Sequence, residues 1–354
     1  REEDIKMSLS KRFVNLQNLN YYLLPLSHSK IIGNWLSSNF HQNSAYSSKM
    51  SKFIEVPIQA EKLLKLTRST VIPKLNATGS SGKQRHKGQA GRIGVIGGSL
   101  EYTGAPYFSA ISAMRVGADL AHVFCQRDAA VVIKSYSPEL IVHPLLDAED
   151  AIEQIAPWLE RLHVLIIGPG LGRDPKIQKT VISLIEHCKH INKPLIIDAD
   201  GLFILNENID LLNDLSNVIL TPNAMEFRRL FSDDVDVMKQ RMARLGAGVI
   251  VLEKGPQDKI YIPSTSEIYT LPAGGSGRRC GGQGDLLCGS IATFFHWALE
   301  SNQSNAAFVA TFAASYLVKQ CNAAGFEKWG RSMVASDMLN EIHIVFRNVF
   351  EETN

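Results

Sequence analysis

From residue 88 onward, short runs of aliphatic and β-branched residues alternate with longer windows that have the hydrophobic period of a helix. Several runs are apolar at consecutive positions, such as LeuIleIle at 195–197 and ValIleVal at 249–251, which is typical of strands covered on both faces. The alternation predicts βα units and a largely parallel sheet. The predicted strands are Arg92–Gly98, Leu120–Cys125, Leu140–Pro144, Val164–Gly168, Pro194–Asp198, Val218–Thr221 and Gly248–Glu253, then a hairpin of Lys259–Ile262 and Ile268–Leu271.

Helical windows separate these strands, and three more follow the hairpin. The predicted helices are Pro106–Val116, Ala151–Arg161, Ile177–His190, Ala224–Phe231, Val235–Leu245, Asp285–Glu300, Asn305–Ala323 and Ala335–Phe350. No repeat or low-complexity linker interrupts this pattern. We therefore expect residues 51–354 to form one α/β domain of about 300 residues, large for a single fold of this class.

The first 50 residues have a different composition. From Met7 to Ile54 there is no Asp or Glu, whereas Lys, Arg, Ser and Asn are frequent. This profile is typical of an organellar transit peptide, so residues 1–50 are expected to direct the protein to a mitochondrion or plastid. A start at Met7 is expected, and a second start at Met50 would give a cytoplasmic form. A disordered tail without a targeting role is the alternative.

Charge and cysteine content exclude several classes of function. The formal net charge of +2 gives no electrostatic basis for binding nucleic acid or a membrane surface. The five cysteines are widely spaced and form no CxxC pair, so neither a disulfide framework nor a thiolate metal site is indicated. No apolar run approaches the roughly 18–20 residues that would span a bilayer. Small molecules are thus the expected partners, and a homo-oligomer is left open.

Glycine-rich turns follow, or lie close to, six of the predicted strands. They occupy residues 94–107, 166–174, 196–201, 220–227, 252–258 and 273–287. Ligands of open α/β sheets bind at the carboxyl ends of the strands, so these turns are the expected location of the chemistry.

The most informative turn is residues 273–287, which end in GlyGlyGlnGlyAspLeuLeu before a predicted helix. The N–H groups of Gly282, Gln283 and Gly284 would point out of the helix start and form an anion hole for a phosphoryl group. Asp285 would then lie within reach of an attacking hydroxyl and accept its proton. The alternative is that Asp285 merely caps the helix. The turn matches neither a Walker A loop nor a GxGxxG motif, which disfavours a P-loop kinase and a Rossmann dehydrogenase.

With these residues the sequence resembles the NAD(P)H-hydrate dehydratase family, a branch of the ribokinase-like superfamily, over roughly residues 55–350. The segments that carry the resemblance are 86–99, TyrThrGlyAlaProTyr at 102–107, 136–144, GlyProGlyLeuGlyArgAsp at 168–174, 221–230 and 274–285. The resemblance implies a three-layer αβα fold with a central, largely parallel sheet. The long form ArgArgCysGlyGlyGlnGlyAsp at 278–285 is similar to the eukaryotic members and implies ATP rather than ADP.

The reaction implied by this resemblance is the repair of NADH or NADPH to which water has been added (NADHX and NADPHX). ATP phosphorylates the ring hydroxyl of the S-epimer, and elimination of phosphate then restores the double bond. Mg²⁺ is implied with ATP and is expected to be held mostly by phosphate oxygens and water, with Glu226 as the candidate protein carboxylate.

The same resemblance implies three groups of site residues. Asp285 would be the catalytic base, with Gly282, Gln283 and Gly284 around the moving phosphoryl group. The expected ATP-binding residues are Lys254, Gly255, Pro256, Gln257, Asp258, Gly274, Gly275, Ser276, Gly277, Arg278, Arg279, Cys280 and Gly281. Those expected on the side of the hydrated dinucleotide are Gly104, Gly170, Asn223, Ala224, Met225, Glu226, Phe227, Arg228 and Arg229.

Two other functions remain as alternatives. A ribokinase-like kinase of a vitamin precursor would use the same GlyGlnGlyAsp segment and stop at the phosphate ester. A nucleotide-binding regulator without turnover would not need a base at Asp285. Asp198 and Asp200 are interpreted as turn residues at a strand end, and no chemistry is assigned to His86, His122 or His143.

Overall fold

A ten-stranded sheet runs through the part of the chain that the structure, a computed structural model, describes: residues 53–74 and 86–351. The expected transit peptide at 1–50 and the second start at Met50 lie outside these residues. The strands are β1 (Ile54–Glu55), β2 (Arg92–Ile96), β3 (Leu120–Phe124), β4 (Ile141–His143), β5 (Val164–Ile167), β6 (Leu195–Ile197), β7 (Val218–Leu220), β8 (Val249–Glu253), β9 (Lys259–Ile262) and β10 (Glu267–Thr270).

The order across the sheet is β1-β10-β9-β8-β7-β6-β5-β2-β3-β4. All neighbours from β8 to β4 are parallel, and β9 is antiparallel to both β8 and β10. Only the β9–β10 hairpin and the short β8–β9 turn lack a helical crossover, and short connections require antiparallel pairing. The chain order reverses between β2 and β5, so the carboxyl ends of these two strands form a topological switch point. The predicted largely parallel sheet is confirmed.

Helices cover both faces of the sheet. They are α1 (Ala60–Leu66), α2 (Gly104–Val116), α3 (Arg127–Tyr136), α4 (Ala151–Arg161), α5 (Pro175–His190), α6 (Asp200–Leu205), α7 (Ala224–Phe231), α8 (Val235–Met242), α9 (Gln283–Glu300), α10 (Ala306–Trp329) and α11 (Ala335–Phe350). Helix α9 packs between α2 and α10, and α11 contacts α2 and α10. None of the helices in the described ranges is long and apolar enough to cross a membrane.

Strand β5 illustrates the three layers. Val164 and Ile166 belong to the core cluster that contains α2, α9, α10 and α11. Leu165 and Ile167 are equally buried but lie outside that cluster. Since successive strand residues face opposite sides, the second pair is covered by the other helical layer. The predicted αβα architecture is confirmed.

Three helices do not appear in the sequence prediction: α1, α3 and α6. Helix α3 contains the run Val131, Val132 and Ile133, whose β-branched side chains have low helix propensity. Ile133 is fully buried, whereas Val131 is 76% exposed, so packing of one face rather than propensity stabilises this helix. Helix α2 begins at Gly104, which puts Pro106 in its first turn rather than at its first position. All five cysteines are free thiols in the structure.

Candidate active site

The loops at the carboxyl ends of the parallel strands are held together by backbone hydrogen bonds. The N–H of Gly98, after β2, donates to the carbonyls of Pro169 and Gly170, after β5, at 3.1 Å each. The N–H of Lys254, after β8, donates to the carbonyl of Pro222, after β7, at 2.8 Å. Five of the six glycine-rich turns named above follow parallel strands and lie at this one edge of the sheet, as predicted from their positions after the strands.

A cavity of about 590 Å³ opens at this edge. Its walls are formed by the loops after β7 and β8, by residues 274–284 and by one face of α10. The expected site residues that border it are Asn223, Ala224, Met225, Lys254, Gly255, Pro256, Asp258, Gly274, Gly275, Arg279, Cys280, Gln283 and Gly284. Residues expected at the nucleotide and the moving phosphoryl group therefore share a single cavity with the loop after β7.

The start of α9 faces this cavity with unpaired backbone donors. Gly282 is the N-cap residue with φ +93°, and no side chain caps the helix. The first hydrogen bond of the helix runs from the N–H of Leu286 to the carbonyl of Gly282 at 3.0 Å. The N–H groups of residues 282–285 therefore have no partner among the described residues, and the helix dipole adds positive potential at the same point. This geometry suits an anion.

Asp285, the third residue of α9, is a half-buried carboxylate without a hydrogen bond to any described residue. The alternative interpretation as a capping side chain does not hold, because the structure has no such bond. Burial, followed by the negative charge of Asp198, raises the pKa of Asp285 to about 7, and Lys254 opposes this shift. A carboxylate with this pKa is a stronger base than an ordinary aspartate and is still ionised at neutral pH in part.

Beneath the start of α9 lies an ion pair that the sequence did not predict. The Nζ of Lys254 is 2.6 Å from the Oδ1 of Asp198, and the Sγ of Cys288 donates to Oδ2 of the same carboxylate at 3.2 Å. Asp198 is only 2% exposed. A Cβ added to Gly284 would come within 3.4 Å of both charged groups, so the pair lies directly against the helix start. Although burial lowers the pKa of Lys254, the neighbouring Asp198, Cys288 and Glu226 raise it above its ordinary value.

Asp198 is thus part of a buried ion pair and not merely a turn residue at a strand end, as its sequence position suggests. Its position at the end of the apolar run of β6 was the available signal, because parallel strands end at the ligand-binding edge. Nothing in the sequence indicated that Asp198 pairs with Lys254, because Lys254 lies 56 residues further along the chain.

Glu226 and Asn223 form a reciprocal cap at the start of α7. The Oδ1 of Asn223 accepts from the N–H of Met225 and of Glu226 at 3.0 Å, and the Oε2 of Glu226 accepts from the N–H of Asn223 at 2.7 Å. The same Oε2 is 4.0 Å from the Nζ of Lys254. Burial raises the pKa of Glu226 above its ordinary value. Glu226 thus combines a structural role with a place at the charged cluster.

The segment 274–284 is tied to α10 by side-chain hydrogen bonds. The Oδ1 of Asn322 accepts from the N–H of Ser276 at 2.5 Å and from its hydroxyl at 2.8 Å. The Nε of Arg278 donates to the carbonyl of Met333 at 3.2 Å. Among the residues expected at the nucleotide and the phosphoryl group, those that do not border the cavity are Gln257, Ser276, Gly277, Arg278, Gly281, Gly282 and Asp285. Asp285 directly follows Gly284, which does border it. For Ser276 and Arg278, the contacts indicate that these side chains hold the loop.

The remaining expected residues on the dinucleotide side are spread over several surroundings. Gly170, with φ +60°, and Gly104 lie at the switch point, after β5 and at the start of α2. Phe227 is buried against Tyr261 and Phe231, so it is a core residue rather than a surface that a ligand could contact. Arg228 pairs with Asp233 at 2.7 Å. Arg229 and Glu226 border a smaller cavity of about 110 Å³ that also contains Arg173, Asp200 and Phe203.

Helix α10 contributes cavity residues that carry no sequence motif. Ser315, Val318, Lys319 and Asn322 line the cavity, as does Leu287 of α9. Ser315 is three and four residues before Val318 and Lys319, and Asn322 is four and three residues after them, so the four share one face of the helix. The Nζ of Lys319 is 3.1 Å from the Oδ1 of Asp258, whose other oxygen accepts from the Ser315 hydroxyl at 2.6 Å. In the sequence, only the helical spacing of these four residues could have indicated that they share a surface.

These features define a class of protein. The three-layer fold with a glycine-rich helix start at the carboxyl edge is ribokinase-like, and a ribokinase-like superfamily protein from Enterococcus faecalis is similar with a TM-score of 0.65. It is 20% identical and the match covers 84% of this chain and 97% of that one.

The particular family follows from the sequence match. The sequence model of the NAD(P)H-hydrate dehydratase family matches residues 93–344, and the chain belongs to this family. The "ATP-dependent (S)-NAD(P)H-hydrate dehydratase" of Drosophila pseudoobscura pseudoobscura is 62% identical over 303 residues, which cover 86% of this chain and 99% of the relative. The Bacillus subtilis "ADP/ATP-dependent NAD(P)H-hydrate dehydratase", co-crystallised with ATP/Mg²⁺, is 23% identical with a TM-score of 0.58, covering 81% of this chain and 97% of that one.

Proposed function

We propose that this protein is an ATP-dependent (S)-NAD(P)H-hydrate dehydratase, which converts NADHX and NADPHX to NADH and NADPH and releases ADP and phosphate. The observation that carries the proposal is the unpaired Asp285 carboxylate, with a pKa of about 7, among the open N–H groups of residues 282–285. The match to the NAD(P)H-hydrate dehydratase family over residues 93–344 supports this reaction over that of a vitamin-precursor kinase.

In the first step Asp285 accepts the proton of the ring hydroxyl while the hydroxyl oxygen forms a bond to the γ-phosphorus of ATP. The bond from that phosphorus to the ADP oxygen breaks, and ADP leaves with the electron pair. The unpaired N–H groups at the start of α9 would donate to the oxygens of the phosphoryl group while it is transferred. In the second step the lone pair of the ring nitrogen expels phosphate, and loss of a proton from the neighbouring carbon restores the double bond.

The charges around the cavity suggest separate roles for its cations. The positive charge of Lys254 is neutralised by the carboxylate of Asp198, so we infer that Lys254 orients the phosphates and adds no net positive charge. Lys319 is similarly paired with Asp258. The side chain of Arg279 is exposed, borders the cavity and has no ion pair among the described residues. We infer that Arg279 compensates the triphosphate charge.

Mg²⁺ would arrive with ATP and neutralise part of the phosphate charge. Groups of three or more His, Cys, Asp or Glu that could hold a metal are absent from the described residues. The residues fit a cation that is held mainly by phosphate oxygens, with the Glu226 carboxylate beside Lys254 and Asp198 as the nearest protein ligand we propose.

The test is recovery of reduced-nicotinamide absorbance after adding ATP, or ADP in parallel, to NADHX. Wild-type protein should restore the absorbance with ATP, and Asp285→Asn should lower kcat by about 10²–10⁴-fold. Asp214→Asn is the matched control, because Asp214 is an exposed residue with φ +64°, which asparagine tolerates. ATP consumption without recovery of absorbance would indicate a kinase, and ATP binding unaffected by Asp285→Asn without any turnover would indicate a regulator.

We infer further that residues 7–50 direct the protein to a mitochondrion or plastid. The absence of acidic residues from this segment supports the inference. A reporter fused to residues 7–50 should be imported, and a reporter that stays cytosolic would contradict a targeting role.

A further inference from the structure

A second cavity, of about 630 Å³, lies at the opposite edge of the sheet from the candidate active site. It is bordered by Ala90, which precedes β2, and by Gly117, which precedes β3, so it opens at the amino ends of these parallel strands. Trp297 of α9 lies at its floor, 12 residues or roughly 18 Å along the helix from Asp285. Its volume is similar to that of the cavity proposed for ATP, so it can hold a molecule of nucleotide size.

The walls of this cavity carry an excess of positive charge. Arg68, Lys74, Arg115 and Arg347 border it against a single acidic residue, Glu351. Four cations and one anion give the cavity walls a charge of +3, which is greater than the net charge of +2 of the whole chain. The side chains of Lys74, Arg115 and Arg347 are exposed and have no ion pair or hydrogen bond with another described residue. Arg115 also lies close enough to Glu139 to lower the pKa of that carboxyl group. An excess of cations around one cavity is favourable for binding an anion.

The floor of the cavity is apolar and rigid. Trp297, Phe346 and Phe350 are nearly buried, and Ile72, Pro73 and Val116 complete the apolar lining. The Nε1 of Trp297 donates to the carbonyl of Ala90 at 2.7 Å, which fixes the indole ring. A ligand of this cavity therefore gains from an apolar part in addition to its negative charge.

The segment that supplies Arg68 has an unusual backbone. Thr67–Val71 is a π-helix, in which the N–H of Ile72 donates to the carbonyl of Thr67 at 3.0 Å. Arg68 belongs to this π-helix, and its Nε donates a hydrogen bond of 2.5 Å to the carbonyl of Val349 in α11. Such short π-helical turns are rare and frequently occur at functional sites. Its presence here is a second observation, independent of the charges, that points to the same cavity.

We propose that this cavity, bounded by Arg68, Lys74, Arg115 and Arg347, binds a phosphorylated small molecule that carries an apolar or planar group. A macromolecular polyanion is disfavoured because the basic side chains converge on a concavity and the chain as a whole is nearly neutral. Ligand binding here is not expected to compete with ATP, because the two cavities lie at opposite ends of α9.

The probe is 1-naphthyl phosphate, which combines both features, with inorganic phosphate and 1-naphthol as its separate halves. Binding to the full chain is measured by equilibrium dialysis in the presence of a saturating non-hydrolysable ATP analogue, which occupies the first cavity. We expect one molecule of 1-naphthyl phosphate per chain under these conditions, with at least tenfold weaker binding of either half. Complete displacement of the probe by the ATP analogue would overturn the proposal.

The charge-reversal variant is Arg115→Glu with Arg347→Glu. Both residues are exposed, and neither belongs to the candidate active site, so dehydration of NADHX should be unchanged. We expect the affinity for 1-naphthyl phosphate to fall at least tenfold. Lys179→Glu with Lys134→Glu changes the net charge equally at exposed positions outside the cavity and should leave the affinity unchanged. An equal effect of the two double variants, or none from either, would contradict a site at this cavity; Arg347→Gln gives the same test should the reversal prevent folding.

Discussion

The pH dependence of the first chemical step should report the environment of Asp285. With a pKa of about 7, only about a tenth of the Asp285 carboxylate is ionised at pH 6, whereas about nine tenths is ionised at pH 8. An ordinary aspartate would be fully ionised at both values. We therefore expect kcat/KM for NADHX at saturating ATP to fall about tenfold for each pH unit below 7. A rate that stays constant down to pH 5 would refute the assignment of Asp285 as a base with this pKa.

Asp198→Asn tests the physical cause of that shift. The negative charge of Asp198 raises the pKa of Asp285 and Lys254 lowers it, so removing the charge of Asp198 leaves Lys254 unopposed. The acidic limb of the pH profile should then move to lower pH by about one unit or more, because an adjacent cation favours the carboxylate. Asp214→Asn should leave the limb in place. A limb that moves to higher pH after Asp198→Asn would show that the electrostatic account is incorrect.

Three further predictions concern stability. Because the pKa of Asp285 is raised to about 7, the stability associated with this shift is fully present below about pH 4 and is lost as pH rises through about 7. Asp285→Asn should therefore raise the free energy of unfolding, and with it Tm, more at pH 8 than at pH 5, by about 3 kcal/mol for the two pH units between 5 and 7. Equal changes in Tm at both pH values would contradict this. Gly282→Ala should lower the free energy of unfolding, measured with urea, by about 1–3 kcal/mol, because φ is +93° and the new Cβ would lie 2.7 Å from the Cβ of Ala335. An unchanged urea midpoint would exclude strain at this position. Lys319→Met should lower the free energy of unfolding by about 3–5 kcal/mol in the same assay, since it leaves the buried Asp258 carboxylate without its cation. Lys179 is exposed, so Lys179→Met should leave the free energy of unfolding unchanged.

The sequence alone determined the parallel sheet and the position of its ligand-binding edge. Fully buried strands must be apolar at every position, as in Val164–Ile167, and they can be recognised without knowing what covers them. The segment 282–285 could also be interpreted locally, because the free N–H groups of a helix start and the third residue of that helix are neighbours in the chain. The proposed anion hole and base depend on these local relations.

The tertiary structure decided the contacts between residues that are distant in the chain. Lys254 and Asp198 are brought together by the pairing of β6, β7 and β8, and nothing in either local sequence specifies the other. The cavity face of α10 and the basic cavity beside Trp297 depend in the same way on how helices pack on the sheet. Helix α3 formed against its local propensity because burial of Ile133 outweighed the cost of β-branched residues. Local patterns specify which backbone groups are unpaired, whereas the pKa of Asp285 depends on burial and on charges that only the folded chain brings near it.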